Sequence, residues 1–294
     1  NHHNYPDKKL LDNIIKNNLL FDEEDINNAI NMFQRIISKL KFNDVDELME
    51  WMDEYYLSSK RCPLTLKVHQ QLALRNFKLG MFHKENIFML SHKPRSGKTI
   101  TLLYKAKLLL TSYKKDKILL ITSVPSTIES FIRELDKYND FKNIKYKTQD
   151  DFLDIDDNYK GIIFCSVQYL KNDKKNIKCK KIVSLNLDAI IPDESHFGIS
   201  TEKTSNDILD LYKDKKIICI FSSGTSLKTE RYYNIKKMNI SRWDIEDEIC
   251  MNNLNETNMI IMNERHGSYF KHCLGRTDLD KNYSKCPKMI LLQP

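Results

Sequence analysis

Short apolar runs alternate with longer amphipathic stretches through the middle of the chain. Five runs have the composition of buried strands, being rich in Ile, Leu and Phe and bounded by polar residues: NIFMLS, KILLITS, GIIFCSV, LDAIIPD and KIICIFSS. The stretches between them, such as TITLLYKAKLLLTSY and STIESFIRELDKY, have helical spacing. This alternation predicts an α/β domain in which a parallel sheet lies between helices.

The regions on either side of this alternation have a different pattern. Apolar residues between Lys8 and Tyr56 recur at helical spacing, which predicts a small helical accessory region over residues 1–60. The α/β domain is then predicted over residues 61–230. Residues 231–294 have a weaker pattern: RWDIEDEICMNNL and ERHGSYFKHCL favour helices, and CPKMILLQP favours one more strand. We expect a helical extension there, followed by a linker or the start of a further domain.

Charge and cysteine content narrow the possible partners and compartments. The chain has 47 Lys and Arg against 40 Asp and Glu, a net charge of +7, which favours a polyanionic partner. Seven scattered cysteines without a CxxC pair predict a reducing, cytoplasmic or nucleus-like compartment, no secretion and no structural zinc. No apolar run approaches the roughly 20 residues that span a bilayer, so no membrane association is expected. Heavy use of Asn, Lys and Ile indicates an AT-rich genome, and a viral protein is one expectation.

The stretch HKPRSGKT has the features of a phosphate-binding loop, because it lies between a predicted strand and a predicted helix. Gly97 permits close approach of the backbone, Lys98 supplies a cation for the phosphates, and Thr99 supplies a hydroxyl for a magnesium ion. His92 stands where the usual motif has its first glycine. The stretch therefore predicts ATP and Mg²⁺ as cofactors.

A pair of acidic residues follows the fourth apolar run, in LDAIIPDESHFG. Asp193 and Glu194 would lie at the carboxyl end of a parallel strand, which is where open α/β sheets bind their ligands. We expect Asp193 to hold the magnesium ion through water and Glu194 to orient and activate the attacking water.

Together these motifs resemble the first RecA-like motor domain of a superfamily 2 helicase or translocase. The nearest branch is that of the DExH/DEAD-like ATPases related to the helicase subunit of type III restriction enzymes. The resemblance covers about Leu64 to Thr229. PRSGKT resembles a form of motif I in which the first glycine is dispensable, and DESH resembles motif II. The resemblance implies that the nucleotide is contacted by Pro94, Arg95, Ser96, Gly97, Lys98 and Thr99. It also implies catalytic roles for Lys98, Asp193, Glu194 and His196.

Four further segments resemble family motifs in the expected order. LKVHQ is similar to the segment in which a glutamine reads adenine, which implies Gln70, with Gln71 as the neighbouring alternative. ITSVPSTIESFIREL and GIIFCSVQYLK resemble segments that contact the nucleic-acid backbone, and FSSGTSLKT resembles motif III. The residues implied are Pro125, Ser126, Ser166 and Gln168 for the nucleic acid, and Ser223, Gly224 and Thr225 for coupling.

The resemblance also implies a second RecA-like domain, C-terminal to this chain, that supplies an arginine to the transferred phosphoryl group. The sequence contains no second set of motifs. We therefore expect a motor fragment that binds MgATP weakly, hydrolyses it poorly and does not unwind a duplex unaided. Backbone contacts with little sequence specificity leave DNA and RNA as alternatives.

Two other functions remain open, namely a non-enzymatic nucleic-acid-binding or scaffold module and a P-loop kinase or other small-molecule ATPase.

Two smaller regions complete the predictions. Trp243 and the acidic run behind it, Asp244 to Glu248, are predicted to form one helix. Lys171 to Lys181 is predicted to be a solvated basic loop, with a nucleic-acid groove as the alternative.

Overall fold

A computed structural model describes residues 61–171, 177–193 and 217–277, together with Asn27, Asn31 and Leu279. The chain divides into two compact units, Asn1–Ser59 and Lys60–Pro294. The predicted N-terminal helices lie outside the described residues, apart from Asn27 and Asn31, which are helical. The strand predicted at the C-terminus, residues 286–294, also lies outside them.

The five predicted strands are confirmed, and the structure adds two shorter ones. The strands are β1 (Ile87–His92), β2 (Lys117–Thr122), β3 (Tyr146–Lys147), β4 (Gly161–Ser166), β5 (Ala189–Pro192), β6 (Ile218–Ser223) and β7 (Ile240–Trp243). They form one seven-stranded sheet in the order β3-β4-β2-β5-β6-β1-β7, and every pairing is parallel. The predicted fold class, a parallel sheet between helices, is therefore correct.

Helices follow most of the strands, as parallel pairing requires. They are α1 (Val68–Phe82), α2 (Lys98–Thr111), α3 (Pro125–Lys137), α4 (Val167–Lys171), α5 (Ile177–Ser184), α6 (Leu227–Tyr232), α7 (Ile245–Asn252), α8 (Glu256–His266) and α9 (Tyr269–Leu274). Short 3₁₀ helices occur at Asn139–Phe141, Phe152–Asp154 and Lys237–Asn239. Among the described residues, no helix is both long enough and apolar enough to cross a membrane.

The core has one layer on each face of the sheet. Ile118 and Leu120 of β2 point into the cluster formed with α1, α2 and α3, whereas Leu119 and Ile121 point into the cluster formed with α4 and α5. Because both faces are covered, every residue of β2 is buried, which explains why the strand contains the unbroken apolar run ILLI.

The sheet extends beyond the predicted limit of the α/β domain. Its last strand, β7, lies after residue 230 and pairs with β1 in the register His92 to Trp243. Trp243 therefore ends a strand, and the prediction that it belongs to the acidic helix is wrong. Asp244 caps that helix instead, with its carboxylate accepting a hydrogen bond from the backbone N–H of Asp247. The prediction failed because β7 has only a few residues and the helix cap follows at once, which leaves too little apolar periodicity to reveal a strand.

The described ends of the basic stretch Lys171 to Lys181 are helical, whereas a loop was predicted. Lys171 ends α4, and residues 177–181 begin α5. Ile182 of α5 and Leu185, just after the helix, are buried in the core. Residues 172–176 lie outside the described residues. The lysine-rich composition of this stretch concealed a short amphipathic helix.

Candidate nucleotide site at the carboxyl edge of the sheet

Three neighbouring strands bring the predicted nucleotide-binding residues to one edge of the sheet. The phosphate-binding loop (residues 92–99) follows β1, Ser223–Thr225 lie at the end of β6, and Asp193 follows β5. Because β5 pairs with β6 and β6 pairs with β1, these segments are separated by one or two strand spacings, about 5 to 10 Å. Glu194 and His196, the other predicted catalytic residues, lie outside the described residues.

The loop turns into α2 through two residues with positive φ. Gly97 has φ +83° at the N-cap of α2, and a Cβ atom added there would lie 2.8 Å from Nε2 of Gln70. Arg95 has φ +62° and is exposed. His92, in the place of the first glycine of the usual motif, is the last residue of β1 and has no positive φ. This position is strand backbone, so it does not require glycine.

The next residues present polar side chains at the start of α2. Lys98 is buried, and its Nζ donates to the carbonyl oxygen of His92 over 3.4 Å. Thr99 is half-buried in the same first turn. Ser96 is buried, and within the described part of the chain its hydroxyl has no hydrogen-bond partner. A buried cation, a helix N-terminus and an unsatisfied hydroxyl together suit a phosphate group.

The first turn of α1 holds the loop from behind. Gln70 donates from Nε2 to the carbonyl oxygen of Gly97 over 3.1 Å, and its Oε1 accepts from the backbone N–H of Lys67 over 2.9 Å. Gln71 points elsewhere and donates to the carbonyl of Leu66 and the hydroxyl of Thr277. The structure thus brings Gln70 to the phosphate loop and keeps Gln71 away from it.

A second side chain of α1, His69, contacts the same loop. Its Nε2 lies 2.7 Å from the carbonyl oxygen of Ser96. Burial lowers the pKa of His69 to about 4. Burial also lowers the pKa of His92 well below its ordinary value, and the nearby His69, Lys105 and Lys98 act in the same direction. Both rings are therefore neutral at pH 7, and Lys98 is not opposed by imidazolium charge behind the loop.

The end of β6 touches the loop directly. A Cβ atom added to Gly224 would lie 3.4 Å from Cδ of Pro94, so the two segments are in close contact. The backbone N–H of Thr225 donates to the hydroxyl of Ser223 over 3.0 Å. The hydroxyls of Ser226 and Ser91 are 2.6 Å apart and link β1 to the segment that follows β6. A shift of either segment would therefore displace the other.

The predicted nucleic-acid residues lie further along the same edge, at the ends of β2 and β4. Pro125 and Ser126 are exposed at the start of α3, and Gln168 is exposed in α4. Ser166 is fully buried instead, and its hydroxyl donates to Gln149 over 2.8 Å and accepts from the backbone N–H of Tyr169. Ser166 thus fixes the start of α4, and contact with a ligand would require it to leave these partners.

Sequence reasoning missed two of the residues that support the site, His69 and Trp243. Trp243 is fully buried beside His69, with ring centroids 4.8 Å apart, and its Nε1 donates to Glu248. A histidine next to the glutamine of a known motif, at the start of a helix, was the available signal for His69. For Trp243 the signal was the Asp244–Asp247 capping pattern, which starts the helix after the tryptophan.

A family model and solved structures resemble this chain. A family model described as "Type III restriction enzyme, res subunit" matches residues 63–225. Among solved structures, the chain is similar to the Sulfolobus solfataricus SWI2/SNF2 ATPase core in complex with dsDNA, with 16% sequence identity and a TM-score of 0.45. This likeness covers 60% of the present chain and 36% of the Sulfolobus chain, so the present chain spans about a third of its length. No curated protein matches the sequence.

The matched region runs from just before α1 to Thr225 and so contains the phosphate loop, Asp193 and the end of β6. It covers more than half of the 294 residues. The order of motifs in the sequence and the parallel sheet agree with it. The chain therefore belongs to the family of the type III restriction enzyme res subunit and contains a RecA-like ATPase motor domain of helicase superfamily 2.

Proposed function

We propose that the chain is the N-terminal motor domain of an ATP-dependent nucleic-acid helicase or translocase. The observation that carries the proposal is the meeting of three segments at one sheet edge. The phosphate loop, Asp193 and Ser223–Thr225 leave adjacent strands on the same side, and Gly224 packs against Pro94 of the loop. A module that only bound nucleic acid would have no need for this arrangement.

Each residue of the edge has a role in this proposal. Lys98 and the backbone N–H groups at the start of α2 hold the phosphates, with Pro94, Arg95 and Ser96 shaping the loop around them. Thr99 and Asp193 hold the magnesium ion, and MgATP supplies the phosphoryl group that is transferred to water. Glu194 would orient and activate that water, and His196 belongs to the same motif.

The contact between Gly224 and Pro94 gives the proposal its coupling step. Ser223, Gly224 and Thr225 lie between the loop and Asp193, because β6 lies between β1 and β5. A change in the loop when phosphates bind or leave would therefore move the end of β6. We propose that this movement links the nucleotide to the nucleic-acid side of the domain.

The surface proposed to bind the nucleic-acid track lies at the ends of β2 and β4. Pro125, Ser126 and Gln168 are exposed there, and the net charge of +7 favours a polyanion. Contacts to phosphates and sugars would position the track without reading its sequence. Ser166 supports this surface from within, through Gln149 and Tyr169.

A complete motor of this kind needs a second RecA-like domain to place an arginine on the transferred phosphoryl group. We propose that such a domain acts with this chain and is C-terminal to it in the working protein. On this basis the chain alone binds MgATP, hydrolyses it slowly and does not unwind a duplex. Processive unwinding by the isolated chain would contradict the proposal.

Steady-state ATP hydrolysis, with and without single- and double-stranded DNA and RNA, tests the proposal. We expect one polymer to stimulate hydrolysis, and Glu194→Gln to abolish the activity while ATP still binds. Lys98→Ala should remove ATP binding itself. Lys107→Ala is the matched control, because Lys107 lies on the same helix but is 3.6 Å from Asp140, away from the loop.

The outcomes separate the alternatives. Binding of MgATP that depends on Lys98, without hydrolysis, would mean a half-site that requires the second domain. Binding of nucleic acid without any binding of ATP would favour the scaffold function. Hydrolysis that no polymer changes would favour a small-molecule ATPase or kinase.

A further inference from the structure

Two consecutive carbonyl groups of the phosphate loop are held by two consecutive side chains of α1. His69 contacts the carbonyl oxygen of Ser96 over 2.7 Å, and Gln70 donates to that of Gly97 over 3.1 Å. In a trans peptide unit, the C=O and the following N–H point in opposite directions. Fixing the carbonyls of Ser96 and Gly97 toward α1 therefore directs the N–H groups of Gly97 and Lys98 away from α1, toward the open side of the loop.

The His69 ring can act only as a donor in this contact. A carbonyl oxygen accepts hydrogen bonds and cannot donate them, so the proton must be on Nε2. The other nitrogen, Nδ1, is buried and has no hydrogen-bond partner within the described residues. A neutral ring with its proton on Nε2 satisfies the contact to Ser96, and His69 is 2% exposed, so water does not compete for it.

The ring is fixed from its other sides by residues behind the loop. Trp243 packs against it at 4.8 Å between centroids, and His92 contacts its edge at 5.4 Å. The carbonyl of Trp243 also accepts from the backbone N–H of Lys93, at the first residue of the loop after β1. Trp243 thus contacts both the start of the loop, at Lys93, and His69, which is bonded to the middle of the loop at Ser96.

Trp243 is in turn part of the core formed by the helices after β7. It belongs to a buried cluster with Val68 and Leu72 of α1 and with Met251, Met262 and Phe270 of α7, α8 and α9. Asp247 of α7 is fully buried and pairs with His266 and Arg265 of α8, so these pairs link α7 to α8. These helices lie outside the segment covered by the family model.

We propose that His69 is a positioning residue of the nucleotide site, which sets the direction of the phosphate-binding N–H groups through Ser96, and that Trp243 and α7–α9 form a brace that keeps it in place. The inference rests on the proposed function, because it gives the loop a nucleotide to bind. It adds a role for residues 240–274, which the motif-bearing segment does not include.

The test compares two substitutions of almost equal size in the full chain. His69→Gln keeps an N–H donor at similar reach, whereas His69→Met has none; both lose the imidazole ring. We expect MgATP to bind about tenfold more weakly to the methionine variant than to the glutamine variant, because a buried carbonyl loses its donor. His83→Met is the control, since His83 is an exposed histidine at the far end of α1, away from the loop.

Two measurements without nucleotide keep the test independent of ATP binding. Deuterium exchange in the peptide that spans residues 92–99 should be faster in His69→Met than in His69→Gln, with the control unchanged. In the unmodified chain, ¹⁵N NMR of the imidazole should find the His69 proton on Nε2 at pH 7. The NMR result does not depend on any variant folding correctly.

The inference is overturned by a proton on Nδ1, or by equal loop exchange and equal nucleotide affinity in the Gln and Met variants. Failure of the proposed function has a different signature. In that case the unmodified chain would not bind MgATP at all, while the exchange and NMR results would still decide whether His69 holds the loop.

Discussion

The two halves of the carboxyl edge of the sheet are built in different ways. At the ends of β1 and β6, the loop carbonyls and the turn at Gly224 are held by buried side chains and close packing. At the ends of β2 and β4, the side chains proposed to meet nucleic acid are exposed, and the buried Ser166 only supports the backbone beneath them. We call the ends of β1 and β6 the anchored half of the edge, and the ends of β2 and β4 the open half.

The difference suits the two ligands proposed for this edge. A triphosphate has the same shape in every cycle, and a loop whose N–H groups already point the right way binds it without a cost of reorganisation. A motor meets a different nucleic-acid sequence at every step, so exposed groups that reach phosphates and sugars are sufficient. We therefore expect the anchored half, which is proposed to bind the nucleotide, to be the more rigid one. Four experiments test this contrast.

Acid should destabilise the anchored half first. The pKa of His69 is lowered by burial from an ordinary 6.5 to about 4, and that of His92 is lowered as well. The unfolded chain protonates His69 near pH 6.5, whereas the folded chain resists this until about pH 4. The contribution of His69 to stability is thus complete above about pH 6.5 and decreases as pH falls, by about 3 kcal/mol in total.

Urea unfolding between pH 7 and pH 4.5 measures this loss, and His69→Gln should reduce the slope of the pH profile, with the surface variant His83→Gln as the matched control. The carboxyl group of Asp247 does not titrate in this window. Burial alone would raise the pKa of Asp247, but the hydrogen bonds from His266 and from the backbone of Asp244 lower it below the ordinary 3.8. That contribution is complete above pH 4 and is lost only in stronger acid. Stability that stays constant from pH 7 to pH 5 would contradict the prediction.

Two aspartates at opposite ends of β5 separate chemistry from structure. Asp193 follows the strand at the nucleotide edge, whereas Asp188 precedes it and accepts backbone hydrogen bonds from Asp116 and Lys117. We expect Asp193→Asn to reduce ATP hydrolysis on the order of a hundredfold and to raise the Mg²⁺ concentration required, because the ion loses a charged partner. Asp188→Asn should lower the stability by about 1 kcal/mol and leave the Mg²⁺ requirement as it was.

The Mg²⁺ dependence of hydrolysis and the urea midpoint, measured for both variants, give this comparison. An equal Mg²⁺ requirement for Asp193→Asn and the unmodified chain would remove Asp193 from the metal site.

The sequence predicted the sheet well because its strands are buried on both faces. Such strands are continuous apolar runs, so β1, β2, β4, β5 and β6 stood out, and the loop after β1 fixed the nucleotide edge. The strand β7 did not stand out, because ISRW is short and is a strand only through its pairing with β1. Pairing between segments that are far apart in the chain leaves no local pattern.

Side-chain roles at the edge were harder to predict for the same reason. The family resemblance implied that Ser166 touches nucleic acid, but its side chain is buried at the end of β4 and bonded to Gln149, 17 residues away. His69 resembles any histidine at the start of a helix until Trp243 and the loop pack around it. The type of a residue and its position after a strand can be read from the sequence. The partners it finds across the fold cannot.

The role of Gln70 decides how closely the anchored half follows its family. Both ends of its amide are engaged within the chain, with Gly97 and Lys67. We therefore expect Gln70→Met to weaken the binding of ATP and GTP alike, by about tenfold, because the loop loses a donor and no base contact is involved. Competition binding with the two nucleotides measures this.

A selective loss of ATP binding in Gln70→Met would mean that this glutamine reads adenine, as the family resemblance implies. Gln71→Met tests the neighbouring alternative in the same way. Since Gln71 is bonded to Leu66 and Thr277, we expect no change in the preference between ATP and GTP there.

The open half should show the smallest effects and the most even ones. Ser126 is exposed in the first turn of α3, and Ser130 is exposed one turn further along the same helix. We expect Ser126→Asp to weaken nucleic-acid binding about threefold to tenfold, because a carboxylate repels the phosphate backbone, and to do so equally for all sequences. Ser130→Asp adds the same charge further from the edge and should have less effect.

Titration with labelled oligonucleotides of different sequence, at two salt concentrations, measures both variants. Because the repulsion is electrostatic, the difference between them should shrink as the salt concentration rises. Neither change reaches the loop, so ATP affinity should stay the same in both. An effect that depended on base sequence would mean that this surface reads bases, and one that lowered ATP affinity would mean that the two halves are not separately built.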